Sequence, residues 1–491
     1  MASNKPHAIM VCFHLQGHII PFVNLALKLA SKGFTITFAH LEFVHQHIAA
    51  NSQQTDIFAA ARSSGLDIRY TTFSDGLDYD RSANFIRWLE FCLDGLPDRV
   101  DQLVANILQS DSCSNYFLIA DTMCVWPKKI AQKYGLVNVS FWTEPALSFS
   151  LYYHLELLRE KGHVPVNGRR EIVDYVPGIE SINTKDFMSY LHDTELQLLH
   201  KFIFRAFDAV KSADFILCNT VQELEADTIS ALHQKQPFYA IGPLFHAKNS
   251  VATSLMPEAN CADWLNSKPP GSVLYVSFGS LARPERDVIR AIAGGLLLSG
   301  VNFIWVIRPG MVESGDLPEG FEDGTRERGL VVAWCNQIEV LQNPVIGAHL
   351  THCGWNSVVE SIWGGVPMIC YPFFAGHITN RKLVVDDLRV GINLSETKEV
   401  AEEKEEEEEV VRSGKRWNNL CDGGSMSKEE VAEKIEAVMS GKRGQELRQE
   451  IQKVRTTFQN AIAADGSSEH NFNGFIQDVS QEIVRRCHSS T

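Results

Sequence analysis

Apolar and polar positions along this chain fall into a recurring order: a short buried run, a tight polar loop, then an amphipathic stretch at helical spacing. The first instance opens with the apolar run 8–13, which is too short for a helix and is closed at once by the loop HLQGHI. A helix is predicted next, with Pro21 suited to its first turn and Gly33 to its C-terminal stop, and a second strand runs over 34–39. Strand, helix and strand within so few residues predict a βαβ unit, which requires a parallel pair. Apolar strands at 117–120 and 217–219 continue this α/β pattern.

After Gly242 and Pro243 the periodicity fades, and 246–261 mix Ser, Asn, Pro and Ala without an apolar face. The pattern then restarts with a strand at 273–278, a helix from about 284 to 299, and strands at 301–307, 330–333, 345–350 and 368–371. The division that follows is a domain over 1–245, a linker over 246–262, a second domain over 263–464 and a terminal helix over 465–491. Two doubly wound, Rossmann-like sheets predict ligands held between them, because open α/β sheets bind at the carboxyl ends of their strands. The run 402–409 is almost wholly acidic and reads as a surface loop without chemistry of its own.

Composition narrows the function. A chain of 491 residues, 45% of them hydrophobic, buries more than one small core holds. A formal net charge of -15 excludes a nucleic-acid binder, since phosphate backbones are gripped by clustered Lys and Arg. The 11 cysteines form no CxxC pair, which predicts reduced thiols in a cytoplasmic protein. No stretch reaches the roughly 18 consecutive apolar residues of a membrane span, and the run 8–13 is a strand, not a signal peptide. GxG and GxxxxGK[ST] are both absent, which removes the dinucleotide and common ATPase readings. His349, His352 and Cys353 invite a zinc reading, but strand alternation points the two histidines apart and no second cluster completes four ligands. Asp78 and Asp80 form a DxD in a Gly- and Asp-rich stretch that reads as a solvated loop.

The most informative segment is 334–377, WCNQIEVLQNPVIGAHLTHCGWNSVVESIWGGVPMICYPFFAGH. Trp334, Gln337, Leu341, Pro344, Thr351, His352, Gly354, Trp355, Asn356, Ser357, Glu360, Gly365, Val366, Pro367 and Pro372 carry its pattern. It resembles the signature box of plant secondary-product glycosyltransferases, a UDP-glycosyltransferase family. The resemblance implies the GT-B fold, two Rossmann-like domains facing across a cleft, with an acceptor-binding N-terminal domain and a C-terminal domain for the UDP-sugar. It also implies that the terminal helix returns to the first domain.

The chemistry of the residues agrees with those roles. Trp334 at a strand end offers an indole face for stacking uracil, about 1–3 kcal/mol, and Trp355 at a helix start reads as a second ligand contact. HCGWNS follows a strand and opens a helix, so Gly354, Asn356 and Ser357 offer backbone N–H groups and short polar side chains to a diphosphate, with His352 a further donor. Glu360, one turn on, offers two carboxylate oxygens to ribose hydroxyls. Gly279 and Ser280, in the loop after strand 273–278, suit a second phosphate contact. In the first half, His18 lies in the loop before the first helix, where a neutral imidazole can deprotonate an acceptor hydroxyl. Asp121 ends the strand 117–120 and can orient that histidine, or cap the helix that follows. The resemblance gives His18 and Asp121 the catalytic dyad and Thr143 a hydroxyl of the transferred sugar. It implies an inverting transfer of a hexose, UDP-glucose being the default donor, to a small hydrophobic metabolite such as a flavonoid or terpenoid. No metal or other cofactor is expected.

The sequence departs from the family pattern at the end of the box. An acidic residue followed by Gln usually stands there to bind the donor sugar, and here those positions are Gly376 and His377, so one or two hydrogen bonds of about 0.5–1.5 kcal/mol each are lost. That change leaves the donor sugar open between glucose, galactose and others, and motivates the alternative of a non-catalytic UDP or small-molecule binder on the same fold. Asn343 and His349 replace the usual His and Phe.

Overall fold

The computed structural model describes residues 5–52, 56–77, 85–110, 115–192, 197–244, 256–313, 315–395 and 426–489. Asp78, Asp80, the acidic run 402–409 and most of the segment read as a linker lie outside the described residues. The chain forms two compact units. One comprises Met1–Lys185, Tyr190–Met256 and Asn460–Thr491, the other Asp186–Ser189 and Pro257–Gln459.

In the first unit, strands β1 (Pro6–Val11), β2 (Thr35–Leu41), β3 (Ile68–Phe73), β4 (Asn115–Asp121) and β5 (Val137–Trp142) belong to the main sheet. A short antiparallel pair, β6 (Ile172–Val173) and β7 (Ile182–Asn183), stands apart from it. With β8 (Phe215–Cys218) and β9 (Phe238–Ala240) the main sheet runs in the order β3-β2-β1-β4-β5-β8-β9, parallel throughout. Ala8 pairs with Ile36 on one side and Phe117 on the other. β2 and β5 are buried at every position, although Thr35, Thr37 and His40 in the one and Asn138 and Ser140 in the other break their apolar runs.

The first helix is Gln16–Ser31, beginning earlier than the sequence predicts. Leu15, in extended conformation, accepts the N–H groups of both His18 and Ile19, so the first turn closes at the loop's own glutamine. Pro21 therefore lies inside the helix and not in its first turn, at a position where it has no N–H to add to the helical ladder.

The last helix, Ser467–Ser489, belongs to this first unit. Phe472, Phe475, Val479 and Ile483 are buried at spacings of three and four, one stripe of an amphipathic helix. Phe475 meets the ring of Tyr239 at 5.9 Å, and Arg486 donates to the carbonyl of Leu136 at 2.6 Å.

The second unit repeats the design with β10 (Val273–Ser277), β11 (Asn302–Val306), β12 (Gly329–Val332), β13 (Ile346–Thr351), β14 (Met368–Cys370) and β15 (Gly391–Asn393), all parallel. Their order is β12-β11-β10-β13-β14-β15. Leu274, Val276, Ile292, Leu296, Trp305 and Leu350 share one core beneath the helices Arg286–Ser299 and Lys428–Met439. The latter is held at its start by a reciprocal Ser427 and Glu430 capping box.

Strand order reverses between β1 and β4 in the first unit and between β10 and β13 in the second. Chains leaving adjacent strands there go to opposite faces of the sheet, and the crevice this opens at the carboxyl ends is where such sheets hold ligands.

Candidate active site

At the β1–β4 crevice, His18 and Asp121 come together. His18 is the third residue of the first helix and not part of the loop before it, as the sequence has it, because of the early start at Gln16. Its Nδ1 lies 2.8 Å from Oδ2 of Asp121, whose side chain is 1% exposed against 14% for His18. The other carboxylate oxygen accepts the N–H of Met123 at 2.9 Å. The helix that follows, Pro127–Tyr134, has no side-chain cap, so Asp121 is spent on the histidine and its own turn and not on capping. Thr143, just beyond β5, sets its hydroxyl 3.3 Å from the same Nδ1. Burial alone pushes the His18 imidazole down, but the charge and hydrogen bond of Asp121, with Glu144 adding to them, outweigh it and hold its pKa above the ordinary value. With Nδ1 facing a carboxylate, Nδ1 carries the proton and Nε2 presents the basic lone pair. Aromatic rings gather beside it: Phe13 stands edge-on to His18 at 5.4 Å, with Phe202 6.2 Å further on.

In the second unit, the β10–β13 crevice is built from two loops. Gly279 has φ 68, a left-handed conformation that favours glycine, and a β-carbon there would lie 2.4 Å from Nε2 of His352. Gly354 meets the opposite constraint, its β-carbon falling 2.5 Å from that nitrogen. The imidazole of His352 thus fits between two bare stretches of backbone. Its pKa is pushed down to about 3, first by burial and then by the charge of Arg308, so it is neutral, and its Nδ1 has no hydrogen-bond partner. Cys353 is left-handed too, at φ 65, which turns the chain sharply from β13 into the helix Trp355–Gly364. Gly354 caps that helix without a side-chain hydrogen bond, so the positive end of the helix dipole faces the crevice. Asn356 stands at the second helical position, half-buried.

Ser357 and Glu360 are joined through Gln337. The side-chain amide of Gln337 donates to Oγ of Ser357 and to Oε2 of Glu360, both at 2.7 Å, and its carbonyl accepts from the hydroxyl of Tyr275 at 3.2 Å. Desolvation pushes the Glu360 carboxyl up to about 7 despite the opposing hydrogen bond from Gln337. Trp334 is half-buried beyond β12, its indole at the edge of the second core, and its carbonyl accepts the N–H of Ala259. The indole of Trp355 is 3% exposed and packs inside the unit, so the ligand contact the sequence extends to both tryptophans has an open ring only at Trp334.

The hydroxyl predicted for phosphate at Ser280 belongs to a residue whose carbonyl is already held by Arg308 at 2.7 Å. Gly376 caps the helix His377–Lys382, and His377 stacks edge-on against His352 with ring centroids 4.7 Å apart. The position that usually carries Gln is thus filled by a buried, neutral ring beside the cradle, its pKa driven well down by burial. The preceding loop is pinned by Ser189, whose hydroxyl accepts the N–H of Ala375 at 2.7 Å.

Both other departures have physical accounts. Asn343 ends the helix Gln337–Gln342 and accepts the N–H of Val345 at 3.1 Å, a turn histidine forms less readily. His349, fully buried, lies 4.9 Å from the Tyr275 ring and pairs Nδ1 with Ser361 at 2.8 Å, so its ring is held within the core of the second unit. Sequence reasoning missed Arg308, Tyr275 and Ser361. An arginine just past the carboxyl end of a parallel strand, as Arg308 is past β11, is a signal that would have found the first.

Two doubly wound parallel sheets, one carrying a histidine–carboxylate pair and the other a glycine-lined helix N-terminus at its switch point, have the two-domain α/β architecture of the GT-B fold. Residues 245–406 match the family model for UDP-glucoronosyl and UDP-glucosyl transferase. The chain is 48% identical to UDP-glycosyltransferase 86A1 of Arabidopsis thaliana, over 98% of its own length and 96% of that protein. It is 31% identical to the 7-deoxyloganetin glucosyltransferase of Catharanthus roseus, covering 97% of this chain and 96% of that one. Among solved structures, a UDP-glucosyltransferase from Polygonum tinctorium capable of glucosylating indoxyl superposes with a TM-score of 0.78 at 27% identity, over 98% of this chain and 99% of that one. The chain belongs to the plant UDP-glycosyltransferase family, and it is an enzyme that transfers a glycosyl group from a UDP-sugar. Among the described residues, no helix is long and apolar enough to cross a membrane.

Proposed function

We propose that this enzyme transfers a hexose, glucose from UDP-glucose, with inversion to a hydroxyl of a small apolar plant metabolite in the cytoplasm, without a metal. The observation that carries this reading is the 2.8 Å contact between His18 and Asp121. Nε2 of His18 takes the acceptor's proton as its oxygen attacks the anomeric carbon in line, and Asp121 stabilises the imidazolium that forms. On the donor side, Trp334 stacks the uracil, Glu360 accepts from the ribose hydroxyls, and the helix opening at Gly354 holds the charge of the departing UDP. Thr143, beside the same imidazole, is within reach of a hydroxyl of the transferred sugar.

The ring of Phe13 beside His18 favours an apolar acceptor such as a flavonoid or a terpenoid. The names of the relatives agree, since 7-deoxyloganetin and indoxyl are small molecules with hydroxyl groups that those proteins glucosylate. A coupled assay tests the reading: purified protein, a panel of UDP-sugars, and flavonoid and terpenoid acceptors, with UDP release and product mass followed together. The reading predicts products one hexose heavier, with UDP-glucose preferred. Products carrying a pentose or a uronic acid, or transfer confined to polar acceptors, would overturn it.

A further inference from the structure

Arg308 lies just beyond β11 and is 8% exposed. Its Nη1 donates to the carbonyl of Ser280 at 2.7 Å and its Nη2 to the carbonyl of Ala282, so its fork closes over the loop that carries Gly279. Its Nε is buried with no hydrogen-bond partner, and among the described residues it makes no ion pair. A guanidinium taken out of water without a counter-charge is costly, and two carbonyls neutralise none of its charge. Desolvation, with the like charge of Arg283 adding to it, pulls the Arg308 pKa down to about 10. Its field also reaches the second loop of the cradle, where it helps to keep His352 neutral. A buried cation that organises both loops of an anion-shaped cradle lacks one thing, a negative charge.

We infer that Arg308 is the positioning residue of the diphosphate subsite, holding the 279–282 loop in place by its carbonyls while its uncompensated charge attracts the diphosphate of the donor. This rests on the reading that the cradle takes the diphosphate of a UDP-sugar. A purely structural clamp needs the fork but not the charge, so the two roles separate in Arg308→Lys, and the diphosphate separates from the rest of the nucleotide by ligand. The uracil and ribose contacts assigned to Trp334 and Glu360 do not involve Arg308, and uridine lacks the phosphates.

The experiment is calorimetric titration of UDP and of uridine into the wild type, Arg308→Gln and Arg308→Lys, at low and high salt. Hydrogen-bonded charges of this kind change affinity by about ten-fold or more, so Arg308→Gln is expected to lose at least about ten-fold for UDP while uridine changes less than about two-fold. Arg308→Lys, which keeps the charge but not the fork, is expected to fall between, and Arg308→Gln to lose part of the salt dependence of UDP binding. Equal losses for UDP and uridine, or a Lys variant no better than Gln, would overturn the inference. If the Gln variant does not fold, the Lys variant decides alone: UDP affinity within about ten-fold of the wild type, with its salt dependence kept, supports the inference, and a larger loss or equal losses for UDP and uridine refute it. A wild type that binds UDP no more tightly than uridine would instead remove the diphosphate reading itself.

Discussion

The imidazole of His352 occupies the space that a β-carbon on Gly279 would need, 2.4 Å from its Nε2, so the two loops of the second crevice approach each other only because residue 279 has no side chain. Gly279→Ala is therefore expected to displace His352 and to strain a backbone at φ 68. UDP affinity should fall by about ten-fold or more, with a loss of about 1–2 kcal/mol in stability. Titration calorimetry and thermal melts check both, and unchanged UDP binding would mean the two loops do not form one cradle.

The Glu360 carboxyl, pushed up to about 7, gives UDP binding its own pH dependence. Above that value the group is a carboxylate and a full acceptor for two hydroxyls; below it, protonation removes part of that capacity. UDP affinity is expected to weaken several-fold as pH falls from about 8 to about 6, and Glu360→Gln should be weaker and flat over that range. Titrations at three pH values make the check.

His349 shows how a polar residue survives in the second core. Its pKa is pushed down to about 3 by burial, with the neighbouring His352 adding to it, while an unfolded histidine titrates near 6.5. A depressed folded-state pKa contributes stability that is complete above about 6.5 and is lost as pH falls toward 3. His349→Phe, the residue the family box usually has, should make melting less acid-sensitive between pH 6.5 and 5 and change stability near neutral pH by less than about 1.5 kcal/mol. Ser361 keeps its own acceptor, the carbonyl of Ser357 at 2.6 Å. His349→Ala should cost about 2–4 kcal/mol through the cavity left against Tyr275.

Asp121 raises the His18 pKa, and this has a sign that kinetics can read. The base works only when neutral, so kcat/KM should fall with acid along a limb placed above pH 6.5. In Asp121→Asn the raising charge is gone and burial prevails, so the limb should move to lower pH while kcat drops by about a hundred-fold or more. A limb that stays in place would separate the pH dependence from this pair.

Much of this was legible in the sequence for one physical reason: parallel strands buried on both faces, such as β1, β10 and β13, show as mainly apolar runs, and the ligand-facing loops follow them directly. Element ends were less legible. Nothing in HLQGHI shows that Leu15 closes the first turn, so the sequence places His18 in the loop before the helix and Pro21 in its first turn. Networks were not legible at all, because the link from Tyr275 through Gln337 to Glu360 joins residues far apart in the chain. The box named Gln337 and Glu360 without showing that one holds the other. The place of Arg308 just past a parallel strand was readable, but its partners were not, being backbone carbonyls with no sequence signature.

The central claim is that His18 is the base. The most direct measurement compares His18→Ala with the wild type for transfer rate and for UDP affinity in the same preparation. The account predicts transfer reduced by about 10³-fold or more with UDP affinity within about two-fold of the wild type, because the imidazole acts on the acceptor and makes no nucleotide contact. Transfer within about ten-fold of the wild type, with UDP still bound, would contradict it.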